Sequence, residues 1–110
     1  MNEQKIKGLI GIAKKAGKIT SGAEQTLDSV RNAKKNKGVK LLLCSADASQ
    51  NTLKRIRNCS EFYGIPMGIL SIDKNELAHI TGHSGELSVI GVTDAGFAKA
   101  ISENLSDSKQ

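Results

Sequence analysis

Three groups of residues have types and spacings that could do chemistry. Gly11, Gly17 and Lys18 stand in "GIAKKAGKI" much as they would in a phosphate loop. His79 and His83 are four apart, the spacing of two zinc ligands on one helix face. Asp47, Asp73 and Asp94 each follow an apolar run, where α/β enzymes keep catalytic carboxylates. None of the three holds up. A phosphate loop needs four residues between its glycines and a Ser or Thr after its lysine. Here five separate Gly11 from Gly17, and Ile19 follows Lys18. Ile6, Leu9, Ile10 and Ala13 recur at helical spacing before Gly17, so Gly17 ends a helix rather than opening a loop. Gly82 interrupts the histidine pair, and no third ligand is near in sequence. Each aspartate precedes a helical pattern, where capping explains it.

The two cysteines are equally quiet. Cys44 ends the apolar run "LLLC" and reads as a buried strand residue, while Cys59 falls in a helical pattern. Neither belongs to a CxxC pair, and two cysteines do not make a disulfide framework in an intracellular chain. A Cys44–His nucleophile pair would need a base and a cleft that the sequence does not supply. No convergent catalytic set, metal site or cofactor motif is read.

What remains is the stretch from Ser21 to Gln25. Ser21 and Glu24 form an S-x-x-E pattern, which predicts a capping box with the Glu24 carboxylate returning to the Ser21 N–H. A helix start carries free N–H groups and a positive dipole end, both suited to phosphate. Gln25 adds amide groups that can pair with base edges. The surroundings are basic. Residues 1–60 carry 13 Lys and Arg against 4 acids, and residues 61–110 carry 3 against 7, giving the net +5. A polyphosphate partner requires such a basic half. Only three aromatics occur, so recognition by stacking on aromatic platforms is largely excluded.

The elements that must position this stretch follow from punctuation. A helix runs from about Glu3 to Ala16, and the short strand "KIT" follows, too short for a central place and so assigned to a sheet edge. A second helix carries Ala23, Leu27, Val30 and Ala33 or Lys34 on successive turns, and Gly38 closes that region. "VKLLLCS" has the continuous apolar character of a strand buried on both faces. Ser49 or Asp47 caps a third helix bearing Leu53, Ile56, Cys59 or Ser60, and Tyr63, stopped by Gly64 and Pro66. "MGILSI" is a strand, Asp73 and Glu76 open a fourth helix ended by Gly82, and "ELSVIGV" is the last strand. Asp94 caps a final helix with Phe97, Ala98, Ile101 and Leu105, before a frayed polar tail at 106–110. Alternation of this kind predicts one domain over residues 1–105, a three-layer α/β/α sandwich with a mixed four-stranded sheet. No apolar run reaches the ~18 residues of a membrane span, and no signal peptide is evident, so a cytoplasmic protein is expected.

The element order and several motifs resemble the L-seven-Ae family of large-subunit ribosomal proteins, in its small bacterial ribosomal-protein-like branch. The resemblance covers about residues 5–102. It is carried by "GLIGIAKKAGKITSG", "KLLLCSADASQNT", "FYGIPMGIL", "ELAHITG" and "VTDAGFAKAI". It implies binding to kink-turn RNA, a sharply bent duplex beside tandem sheared G·A pairs, through two loops. In the first, Gly22 matches the opening glycine and Gln25 a base-reading position, with Lys18, Ser21, Ala23, Glu24, Asp28 and Arg31 around them. Lys74 matches a basic residue after the third strand. Ile80, Gly82 and the turn His83, Ser84, Gly85, Glu86 form the second loop, which in the family packs against flipped-out nucleotides. The resemblance thus implies RNA as partner, within a ribosome or other ribonucleoprotein. The family's strong binders read Gly-x-Asn-Glu-x-x-Lys at the first loop, whereas this chain has Glu24 for the asparagine and Asp28 for the lysine. A carboxylate cannot donate to guanine acceptors and repels phosphate. Those two acids favour a second reading, a protein–protein module of a ribonucleoprotein. A third, a small α/β enzyme, has the architecture without the catalytic set.

Overall fold

The computed structural model describes residues 2–32 and 38–106. Five helices, α1 (Glu3–Lys15), α2 (Ala23–Arg31), α3 (Gln50–Tyr63), α4 (Lys74–Thr81) and α5 (Ala95–Ser106), alternate with four strands. The strands are β1 (Ile19–Ser21), β2 (Leu41–Cys44), β3 (Met67–Ile69) and β4 (Val89–Val92), in the sheet order β1-β4-β2-β3. β2 and β3 are parallel, while β4 runs antiparallel to both β1 and β2, so the sheet is mixed. β1 occupies an edge, as its length predicts. The continuation of α2 through Ala33 or Lys34 and the end of the polar tail lie outside the described residues.

Two apolar clusters make the three layers. Leu41, Leu43, Ile90 and Val92 point to one face and pack with Ile6, Ile10, Leu77, Ala78 and Ile101 from α1, α4 and α5. Leu42, Cys44 and Val89 point to the other and meet Leu27, Val30, Ile56 and Cys59 from α2 and α3. The period-2 alternation of the strands sorts neighbouring residues into these two clusters. β2, with a helix layer on each side, is buried at all four positions.

Gly91 lets α2 come close to the sheet. A Cβ there would lie 2.5 Å from Thr20 Oγ1 and 2.9 Å from Thr26 Cγ2. The two threonine hydroxyls share a 2.8 Å hydrogen bond at this spot, joining β1 to the buried side of α2. The last residue of the expected α3 pattern faces outward. Tyr63, at the end of α3, is 44% exposed and packs edge-on against the still more exposed Phe62.

Candidate nucleic-acid interface

The carboxyl ends of β1, β2 and β3 and the start of β4 share one end of the sheet, because Ser21 pairs with Ile90 and Cys44 with both Val89 and Ile69. The start of α2 and the turn before β4 therefore meet. Gly22 N–H donates to Val89 C=O at 2.8 Å, and Ser45 N–H to Ser88 C=O at the same distance. Leu87 N–H donates to Lys74 C=O at 3.1 Å, and the Lys74 ammonium lies 3.3 Å from the Glu86 carboxylate. Gly22, Lys74 and Glu86, far apart in sequence, are thus tied to one rim.

The predicted capping box does not form. Ser21 closes β1, and Gly22 is the N-cap of α2, with φ 93° and ψ 152° and no side-chain cap. That backbone conformation is essentially confined to glycine. Gln25, not Glu24, returns to the Ser21 N–H, its Oε1 accepting at 2.9 Å. The shift follows from β1 lying one residue further along than "KIT", without Lys18 and with Ser21. It makes Ser21 a strand residue and moves the reach-back position one place along the helix. Glu24 instead accepts from Arg55 on α3 at 2.8 Å. No local sequence signal names Arg55, which is 31 positions away and set opposite by the packing of α2 on α3. Ser21 Oγ is buried and has no hydrogen-bond partner among the described residues.

The other four described helices are capped by side chains. Asn2 accepts from Lys5 N–H, Ser49 from Thr52, Asp73 from Glu76 and Asp94 from Phe97. Asp47 does not cap α3. Its carboxylate accepts from the Ser45 hydroxyl and from the Lys74 N–H, both at 2.9 Å, and so ties the loop after β2 to the start of α4. Desolvation pushes its pKa up, but these two hydrogen bonds and the Lys74 charge outweigh that, and the group is held below 3.8. Among the described helices, α2 alone presents its first N–H groups without a side-chain cap, beside a glycine above which a Cβ would meet nothing within 4 Å.

Not every expected site residue reaches this rim. Lys18 lies at the opposite end of β1, its carbonyl accepting from Thr93 N–H. Arg31 is the last residue of α2, roughly 13 Å along the helix axis from Gly22. Ala23, Glu24, Gln25 and Asp28 lie in the first two turns, the last three exposed. Ile80 packs partly into the core, Gly82 ends α4 at φ 67°, and His83, Ser84, Gly85 and Glu86 are exposed in the following turn. Cys44 is wholly buried, and burial pushes its thiol up to about 11 against the pull of the Arg57 guanidinium. Among the described residues, no helix is long and apolar enough to cross a membrane.

A mixed sheet between two helix layers, with a second helix opened by glycine, places the chain in the α/β/α class. The chain matches the model of the Ribosomal protein L7Ae/L30e/S12e/Gadd45 family over residues 4–102 and belongs to that family. It is 36% identical over 102 residues to a protein of Enterococcus faecium named RNA-binding protein YlxQ, covering 93% of this chain and 92% of the relative. The Bacillus subtilis protein of the same name is 32% identical over 93 residues, covering 84% and 87%. A solved structure of a Bacillus halodurans protein of unknown function superimposes with a TM-score of 0.82 at 30% identity, over 94% of this chain and 98% of that one. The Giardia lamblia 15.5kD RNA binding protein shares the fold, with a TM-score of 0.75 at 19% identity, over 93% and 85% of the two chains.

Proposed function

We propose that this chain is a non-catalytic RNA-binding protein of a ribosome or other ribonucleoprotein in the cytoplasm. It recognises kinked, kink-turn-like duplex RNA through the start of α2 and the turn between α4 and β4. One observation carries the reading: the N-terminus of α2 is uncapped and opens on Gly22, within one hydrogen bond of β4, where the second turn ends. Backbone N–H groups and the dipole there favour a phosphate oxygen. Gln25, its oxygen fixed on Ser21, keeps two amide N–H donors for a base acceptor. Two relatives named as RNA-binding proteins support the same reading.

The test is a salt titration with a fluorescent kinked duplex. Binding through phosphates should give a log–log slope of roughly −0.7 to −0.9 per neutralised phosphate, several units in all. A slope near zero, or no binding, would exclude the proposal. The acids Glu24 and Asp28 favour a second reading, a protein–protein module with incidental RNA contact. In that case straight and kinked duplexes would bind equally and weakly.

A further inference from the structure

The proposed interface leaves a groove between α1 and α4 unassigned. It encloses roughly 520 Å³ and is lined by Gly8 and Gly11 together with Lys7, Lys14, Lys15 and His79. Ile12, 58% exposed, adds an apolar surface to it. Ile80 and Gly82 form its end on α4, so the groove runs into the second turn of the proposed interface.

The two glycines are not explained by the chain's own packing. Both lie inside a 13-residue helix, where glycine is the poorest residue after proline. A Cβ on Gly8 would meet nothing within 4 Å, and one on Gly11 only the Ile80 carbonyl oxygen at an ordinary 3.9 Å. Neither has a positive φ. The cations are only partly explained. Lys7 pairs with Glu76 at 3.2 Å, and Lys14 and Lys15 sit in the last turn of α1, where they offset the negative helix end. Two of the last carbonyls of α4 are already engaged, since the His83 N–H donates to Ala78 and the Gly82 N–H to His79. A groove with side-chain-free helix at its surface, one apolar side chain and lysines along it matches a ribose–phosphate strand. Sugars can approach the glycines and Ile12 while phosphates meet the ammonium groups.

We propose that this groove holds the backbone of one duplex arm of the bound RNA, the arm that leaves the kink past the second turn. The proposal rests on the RNA reading above. The experiment therefore uses two labelled RNAs, a minimal kinked duplex and the same duplex with that arm extended by a helical turn. Wild-type protein is compared with Gly8→Met and with the double variant Lys14→Ala/Lys15→Ala. Gly8→Met should raise the melting temperature, because methionine is the better helix former and has room. It should nevertheless weaken binding of the extended RNA on the order of tenfold, with little change for the minimal one. The lysine variant should lower the salt slope on the extended RNA by roughly 0.7–0.9 for each phosphate it no longer neutralises. Equal affinity of both variants and wild type for the extended RNA would overturn the groove alone. So would equal losses on both RNAs, or a change of oligomeric state in Gly8→Met, which would give the groove to a second copy. Failure of wild type to bind either RNA would overturn the RNA reading and the groove with it.

Discussion

Ser21, Glu24 and Gln25 exchange roles between expectation and structure, and the exchange has measurable consequences. Ser21 Oγ is a buried hydroxyl without a partner among the described residues, so its removal should not cost a capping bond. Ser21→Ala should change stability by less than about 0.5 kcal/mol or raise it, since an unsatisfied polar group is removed. Gln25→Ala should cost about 1 kcal/mol, because it strips the acceptor from the Ser21 N–H. Urea melts decide the matter: a larger loss for Ser21→Ala than for Gln25→Ala would restore the capping box. Glu24 and Asp28 belong to recognition instead. Replacing them by Asn and Lys removes two negative charges, adds a positive one and restores donors at the first loop. Affinity for a kink-turn should rise by about 1–3 kcal/mol for each base-edge pairing restored. Calorimetry showing no gain, with an unchanged melt, would mean that this loop does not face RNA. Glu24→Asn also releases Arg55, but an exposed pair of this kind contributes little stability.

At the scale of elements, loop contacts reinforce the rim that the strand register brings together. β3 is three residues long, and the loop after β2 reaches α4 through the Asp47 carboxylate. That group is held below its ordinary 3.8 in the folded protein, so it stabilises the fold above that value and ceases to as pH falls through the folded value. Asp47→Asn should therefore melt at a lower temperature than wild type at pH 6–7, and the gap should close as the buffer is taken below about pH 4. A gap independent of pH would show that hydrogen-bond geometry, not ionisation, ties these loops together.

For the whole molecule, the two apolar clusters on either side of one sheet make the interior cooperative. Cys44 belongs to the cluster under α2 and α3, fully buried, with its thiol raised to about 11. It should react with a thiol reagent only when the sheet opens, since the thiolate is the reactive form. Peptide mapping after timed labelling should show Cys44 modified at the rate set by global unfolding, quickening with urea in step with the melt. Rapid labelling of Cys44 in native buffer would mean that β2 is exposed by a local opening.

Much of this protein was legible in its sequence because local chemistry and periodicity state it directly. Gly17, Gly64 and Gly82 adopt positive φ at the helix ends they were expected to mark. The unbroken apolar run at Leu41–Cys44 becomes the doubly covered strand, and the edge place of β1 follows from its length. Periodicity carries no information about which strands are neighbours, however. Only the tertiary structure set β4 between β1 and β2, and so brought Gly22 to Val89 and Lys74 to Glu86. It also decided that β1 lies one residue further along, without Lys18 and with Ser21, which moved the α2 cap from Ser21 to Gly22, and that Glu24 faces Arg55. Those outcomes depend on sheet register and helix packing between distant segments, energies that no single stretch of sequence contains.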